Sequence, residues 1–353
     1  MRLRGWQLIL GLCGLIGAGI VSLVMSPPSQ ARADITVLAG DLRNAGILGV
    51  VIGIEEACEA LGWELTVFDV STSNLSKSQE GLVDGYRHVA AQRPDGIIFV
   101  GHVGQPVGGD PRVSIDHLKI PVVGWHMAPL PGPVPDSPVQ VNITTPSQAV
   151  ADAAVSLVVP APNEPEAGIV VFTDTSIPFA RDKSDRMLTA LERCDRCTVL
   201  AIEDIALRET AALVPPAVQR LRTTYGTRWT HSLAINDLYF DYAIRELLAS
   251  DLPPPINISA GDGSPSALLR IRYQSFQYAS VAEPLLQQGW QLVDELHRIF
   301  HHQSPSQYVN PAYVVTQETV TQVVSTDGFM EPEFPYREDY LQRWRRVADE
   351  QNT

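Results

Sequence analysis

The stretch ITVLAGDLRNAGILGVVIGIEEACEALGWEL, residues 35–65, decides the fold. It begins with an apolar run at 35–39, continues through a polar loop, and then places apolar residues at helical spacing over 46–61. A second apolar run follows at 65–68. Continuous apolar strands joined through an amphipathic helix are typical of parallel sheets that helices cover on both faces. The stretch therefore predicts a strand, a helix and a neighbouring parallel strand.

The same unit recurs along the chain and forms two series of strands. Between the series lies the segment 129–138, whose five prolines oppose regular strand pairing. We predict an α/β protein with two Rossmann-like, doubly wound parallel-sheet lobes and a ligand cleft between the carboxyl ends of their strands. The remaining predicted strands are 96–100, 121–124, 168–172, 198–202, 233–235 and 256–259, and the remaining predicted helices are 76–92, 146–158, 180–192, 209–224 and 239–250.

The first 33 residues are predicted to form an export signal. Arg2 and Arg4 precede an uncharged apolar run at 5–25, and an Ala-Arg-Ala motif ending at Ala33 fits a signal-peptidase site. The mature chain is expected to begin at Asp34 in the periplasm. An uncleaved membrane anchor is the alternative, because about 20 apolar residues suffice to span a bilayer.

The charge balance and the motifs exclude several classes of function. The chain carries 26 basic and 40 acidic residues, and removal of three arginines with the signal leaves a net charge of −17. That balance argues against nucleic acid or an anionic membrane surface as a partner. The sequence contains no nucleophile elbow, no zinc-protease motif and no phosphate-binding loop. We therefore expect no enzyme activity, no cofactor and no metal.

Several segments, in their order and spacing, carry a resemblance to a known family over 35–327. The chain resembles the periplasmic sugar-binding proteins of the ribose-binding type, which have the type I periplasmic binding protein fold. The resemblance implies a three-stranded hinge and closure on a sugar or polyol-like ligand. It implies delivery to the permease of an ABC importer or, alternatively, presentation to a membrane histidine kinase or chemoreceptor. Besides 35–65, the segments are RPDGIIFVG (93–101), LKIPVVGWH (118–126), LAINDLYFDYAI (233–244), ISAGDGSPSALLRIR (258–272) and SVAEPLLQQGWQLVDEL (280–296).

The resemblance also implies a division of the chain. A monomer is expected, with a tail that lies outside the resemblance and either packs on a lobe, which we favour, or docks a partner. The predicted parts are a signal peptide at 1–33, an N-terminal lobe at 34–141 plus 283–307, a C-terminal lobe at 142–282 plus 308–327, and a C-terminal extension at 328–353.

The ligand site implied by the resemblance consists of polar side chains from both lobes. Carboxylates and amides pair with hydroxyl groups, and a cation supplies several donors. We add Asp41, a polar residue after the first strand. The matched positions are Asn44, His126, Lys183 with Arg181 as its alternative, Asn236, Asp262 and, at the hinge, Glu283.

One departure weakens the expectation of a sugar ring. Gly46 and Ile47 stand where ribose-type proteins carry paired aromatic residues. Trp125, Phe179 or Tyr239 are the candidates to supply a ring instead.

Each candidate also has a structural interpretation that the sequence leaves open. Asn44 and Asn236 suit helix N-caps, and Asp262 between two glycines suits an ordinary turn. Arg181 and Lys183 suit a solvated helix face. His126 suits a satisfied polar residue of the cleft wall, and Glu283 suits a pairing with a hinge cation.

The remaining cysteines and histidines are assigned structural roles. Cys194 and Cys197 are expected to form a local disulfide, with a redox site or half of a metal site as alternatives. His297 and His301 share a helix face, where we expect a solvated helix end rather than a metal site.

Overall fold

The computed structural model describes residues 32–72, 78–101, 103, 118–158, 166–325 and 328–351. The predicted export signal lies outside these residues except for its last two positions. Within the described ranges, no helix combines the length and the apolar character needed to cross a bilayer.

The first sheet has five parallel strands in the order β2-β1-β3-β4-β5. The central strands β1 and β3 are buried almost throughout, which explains their continuous apolar sequences. The strands are β1 (Asp34–Ala39), β2 (Glu64–Asp69), β3 (Gly96–Val100), β4 (Val122–Trp125) and β5 (Val139–Ile143), and the helices of this lobe are α1 (Ala45–Leu61), α2 (Ser78–Gln92) and α8 (Leu285–Phe300).

The second sheet has six strands in the order β11-β10-β9-β8-β6-β7, and only its edge strand β11 is antiparallel. Its strands are β6 (Ala167–Thr173), β7 (Cys197–Asp204), β8 (His231–Ala234), β9 (Ile256–Ser259), β10 (Ala279–Ala282) and β11 (Tyr313–Val315). Its helices are α3 (Ser147–Ser156), α4 (Pro178–Leu191), α5 (Thr210–Tyr225), α6 (Leu238–Leu248), α7 (Pro265–Arg272) and α9 (Val320–Val323). The predicted fold of two α/β parallel-sheet lobes is confirmed.

Close packing of α1 on α8 joins the two ends of the first lobe. A methyl group at Gly53 would lie 2.2 Å from the carbonyl oxygen of Leu286, and one at Gly289 would lie 2.4 Å from that of Val50. The two helix backbones therefore touch at glycines. This contact brings the start of α8, and the hinge residue before it, to the carboxyl end of the first sheet.

The proline-rich segment lies inside the first lobe rather than between the lobes. It connects β4 to β5, and β5 pairs with β4 in parallel. β5 was not predicted from the sequence, because prolines directly before a short strand resemble a linker. Since β5 runs to Ile143, the boundary predicted between 141 and 142 falls within a strand. The chain passes between the sheets after β5, after β10, and between α8 and β11.

The tail packs on the first lobe through α10 (Tyr336–Gln351). The indole of Trp344 stacks on Trp290 of α8, with ring centroids 5.5 Å apart and planes 2° from parallel. Its Nε1 donates to Asp294 Oδ1 at 2.8 Å. Just before α10, Phe329 belongs to the core of the first lobe, whereas Met330 packs with residues of the second.

Candidate functional site

Buried polar side chains converge where the carboxyl ends of the strands of both sheets meet. His126 follows β4 of the first sheet, Asn236 and Asp262 follow β8 and β9 of the second, and Glu283 follows β10 at the hinge. All four side chains are buried. Because each stands directly after a parallel strand, the fold itself aims them at the space between the lobes.

Glu283 lies at the centre of this cluster and is fully buried. Its Oε2 lies 3.1 Å from His126 Nε2 and accepts from Gln288 Nε2 at 2.9 Å and from the backbone N–H of Thr145 at 3.4 Å. Burial raises the pKa of Glu283, but the charges of His126 and Lys183 and these hydrogen bonds outweigh it and lower the pKa to about 2. The carboxylate is therefore ionised at neutral pH.

His126 is held between two aromatic rings, one from each lobe. Its imidazole stacks on Trp125, with centroids 3.6 Å apart, and on Phe179 of α4 at 4.1 Å. Its backbone has a φ of +56°, a left-handed conformation that costs energy for a non-glycine residue and is often found at functional sites. The ring stack and the backbone conformation together orient the imidazole so that its Nε2 faces Glu283.

Asp262 brings the second lobe against the start of α1. Asn236 Nδ2 donates to Asp262 Oδ2, and Asn236 Oδ1 accepts from the backbone N–H of Leu238 at 2.9 Å. A methyl group at Gly46 would lie only 2.2 Å from the same Oδ2. Gly46 stands where ribose-type proteins carry an aromatic residue. Its lack of a side chain makes room for the carboxylate of Asp262 from the facing lobe.

Lys183, and not Arg181, reaches this cluster. The ammonium of Lys183 is buried and donates to the carbonyl oxygens of Ile235 at 3.1 Å and Ala260 at 2.5 Å. Burial lowers the pKa of Lys183, although Asp262 and Glu283 oppose that shift. Arg181 is exposed and donates from Nε to the carbonyl oxygen of Thr175 at 2.9 Å.

The two candidates after β1 have local partners instead. Asn44 caps α1, since its side chain accepts from the backbone N–H of Gly46 at 2.9 Å. Asp41 forms an ion pair with Arg43 at 2.6 Å. Burial raises the pKa of Asp41, but its hydrogen bonds with Arg43 outweigh burial, and the net effect is a lowered pKa. Among the described contacts, none joins Asp41 to the cluster around Glu283.

The aromatic candidates do not offer the free faces that a sugar ring needs. Both Trp125 and Phe179 stack on His126, and Lys183 Nζ lies 4.9 Å from the centroid of Phe179. Trp125 Nε1 donates to Gln288 Oε1 at 2.8 Å. Tyr239 is buried and donates to the carbonyl oxygen of Ile205 at 2.6 Å. These rings therefore shape the polar cluster rather than present a stacking platform.

Two residues outside the predicted ligand set also organise the site. Gln288 bridges Glu283 and Trp125, and it is one of several polar residues buried along α8. Asp237 accepts from the backbone N–H groups of Gly263 at 2.8 Å and Ser264 at 3.1 Å, which fixes the turn that carries Asp262. Burial raises the pKa of Asp237 to about 6.

A metal-ligating set stands within the same cluster. No metal was expected from the sequence, yet one ligand atom each from His126, Asp262 and Glu283 lie within 4.8 Å of one another.

Two other predictions concern residues outside this cluster. Cys194 and Cys197 are joined by a disulfide between α4 and β7. His297 is buried, so the expectation of a solvated helix end at this position was wrong.

Comparisons with solved structures show many chains with the same fold. An ABC sugar transporter subunit from Rhodobacter sphaeroides 2.4.1 is 20% identical, with a TM-score of 0.65, covering 81% of this chain and 98% of that one. A solute-binding protein of an ABC transporter from Agrobacterium vitis, with bound allitol, is 18% identical, with a TM-score of 0.66, covering 82% and 97%. A chain of the XylFII-LytSN complex is 12% identical, with a TM-score of 0.66, covering 82% and 99%.

At these identities the likeness establishes the fold, which agrees with the type I periplasmic binding protein fold that the resemblance predicted. No protein-family model matches the chain. No curated protein matches it either.

Proposed function

We propose that the protein is an exported solute-binding protein that captures a small polar solute by hinge closure and delivers it to an ABC-type importer. The observation that carries the proposal is a single buried polar cluster built from both lobes and the hinge. His126 comes from the first lobe, Asp262 from the second and Glu283 from the hinge. Closure is favoured because a solute held between the lobes gains contacts that the open state lacks.

The chemistry of the cluster favours a polyol-like solute over an apolar one. Carboxylates accept from hydroxyl groups, and the amide of Asn236 both donates and accepts. The structure with bound allitol is a protein of this fold that holds a polyol. The occupied faces of Trp125 and Phe179 argue against a ligand that requires aromatic stacking. The protein then binds its solute without chemical change.

A thermal-shift screen against sugars and polyols tests this function. A solute at a hundredfold excess over its Kd stabilises the folded state by about 2.7 kcal/mol. Asp262→Asn should abolish the shift, because the amide replaces an acceptor oxygen by a donor. Asp41→Asn is the matched control, since Asp41 is paired with Arg43 outside the cluster. If no sugar or polyol stabilises the protein, or if both variants respond like the wild type, the proposal fails.

Export is part of the proposal. The Cys194–Cys197 disulfide supports an oxidising compartment such as the periplasm. The N-terminus of the protein recovered from a periplasmic extract should be Asp34. Recovery of the uncleaved chain from the membrane fraction would favour an anchored protein instead.

A sensory co-receptor is the second candidate. The observation that favours it is the neighbour solved as a XylFII-LytSN complex, in which a chain of this fold is found together with a differently named protein. A membrane permease and an ATPase encoded beside this protein would support transport, whereas a membrane histidine kinase or chemoreceptor would support sensing.

A further inference from the structure

We propose that the cleft binds one divalent transition-metal ion of the zinc class between the lobes. The ligands are His126 Nε2 from the first lobe, a carboxylate oxygen of Asp262 from the second, and one of Glu283 at the hinge. The inference rests on the proposed function, because it names what the same cleft captures. Three protein ligands leave a further position for water or for an oxygen of a polar solute.

The geometry suits such an ion. The three ligand atoms lie within 4.8 Å of one another, and Nε2 of His126 is 3.1 Å from an oxygen of Glu283. Ligands of a tetrahedral zinc ion, bound at about 2.0–2.2 Å, lie about 3.4 Å apart. An ion can therefore bind between His126 and Glu283 with a shift of a few tenths of an ångström, while Asp262 closes on it by up to about 1.4 Å.

A buried oxygen that accepts no hydrogen bond also points to a ligand. Glu283 is fully buried, and its Oε2 receives the hydrogen bonds from Gln288 and Thr145. Its Oε1 accepts no hydrogen bond from any residue that the structure describes. A buried carboxylate oxygen without a partner is costly. Oε1 lies 3.1 Å from His126 Nε2, so it stands beside a second ligand of the proposed ion.

The charges around the site call for a cation. Four carboxylates stand against the two cations Lys183 and Arg270, besides the imidazole of His126 that faces Glu283. Burial penalises any carboxylate charge that is left uncompensated, and a divalent ion would neutralise it. The carboxylates are those of Asp237, Asp241, Asp262 and Glu283, and the cations are Lys183 and Arg270.

The ligand types select the class of metal. Imidazole nitrogen with carboxylate oxygen suits zinc and its neighbours in the first transition row, whereas calcium takes six to eight oxygen ligands. The stack of Trp125, His126 and Phe179 holds the imidazole in place before any ion arrives. Because the ligands come from both lobes and the hinge, the ion would also hold the cleft closed.

Calorimetric titration of the chelator-treated, full-length mature protein with zinc chloride tests the inference. We expect one zinc per chain, and a loss of affinity of at least about 100-fold in His126→Asn and in Glu283→Gln. Asn tolerates the left-handed backbone of residue 126, and Gln keeps the shape of Glu283. His301→Asn, which removes the other histidine pair, should bind zinc like the wild type. Calcium chloride should neither bind nor compete.

The outcomes separate this inference from the proposed function. Circular dichroism first establishes that each variant is folded. If the wild type does not bind zinc, if the two cleft variants bind it normally, or if calcium binds equally well, the metal inference is overturned. Sugar or polyol binding in the presence of chelator would then leave the proposed function standing, whereas absence of both would remove both.

Discussion

His126 and His297 are both buried histidines stacked on tryptophan, but their surroundings differ. His126 faces the carboxylate of Glu283 and is stacked between rings of two lobes. His297 lies within one lobe, beneath α10, against Trp63 and Trp344. Its Nε2 has no hydrogen-bond partner among the described residues, and burial lowers its pKa to about 4.

The difference separates the proposed binding cluster from a packing cluster. In the cleft, charged groups are buried and held by hydrogen bonds from several elements. Burial of charge costs free energy, and a bound ligand would offset that cost. Beneath the tail, the histidine stays neutral and contributes as an aromatic ring. Substitutions beneath the tail should therefore change stability alone, and those in the cleft should change affinity.

The largest expected effect is on stability, beneath the tail. Trp344→Ala removes a buried ring that stacks on Trp290 and donates to Asp294. We expect the free energy of unfolding to fall by about 3–5 kcal/mol in urea titrations. Affinity for zinc should stay within threefold of the wild type. A loss below about 1 kcal/mol would show that α10 is not part of the folded core.

Acid should destabilise the packing cluster next. The pKa of the His297 imidazole is about 6.5 in the unfolded chain and about 4 in the folded one. Its contribution is therefore complete above pH 6.5 and is lost as pH falls toward 4, by up to about 3 kcal/mol. His297→Gln should flatten the pH dependence of unfolding, and His302→Gln, at an exposed position, should not. Parallel curves for wild type and His297→Gln would contradict this.

Two glycines on α1 give matched variants. Gly53→Ala would press on the carbonyl oxygen of Leu286 and should lower the free energy of unfolding by about 1–3 kcal/mol. Gly46→Ala would press on Asp262 of the facing lobe and should leave the unliganded fold intact. It should weaken zinc or solute binding at least tenfold, or about 1.4 kcal/mol. Normal affinity in Gly46→Ala would mean that the lobes close less than the structure shows.

The disulfide should give the smallest effect. It closes a loop of few residues, so replacing Cys194 and Cys197 by serine should cost about 1–2 kcal/mol in thermal unfolding. Zinc and solute affinity should not change, because the disulfide follows the end of α4 opposite to Phe179. A loss of affinity would tie this end of α4 to the position of Phe179.

Periodicity was sufficient for most of the fold but not for its irregular parts. The helix predicted at 46–61 is α1 (Ala45–Leu61), and the strand predicted at 256–259 is β9 (Ile256–Ser259). β5 escaped because prolines before a strand resemble a linker. For the site, residue types indicated polar contacts, but the distance between His126 and Asp262 depends on how two lobes meet. Local sequence does not encode that distance.

The path of the tail affects how far the cleft can open. Three connections at the hinge would allow the lobes to rotate apart. The chain, however, crosses between the lobes a fourth time, at residues 329 and 330. The ring of Phe329 rests against Gly49 of α1, and the next residue, Met330, forms a bridge with Val324 of the second lobe. If the lobes rotate apart, Phe329 must leave α1 or Met330 must leave the second lobe. We therefore expect this fourth connection to limit the amplitude of opening, and with it the size of solute that can enter.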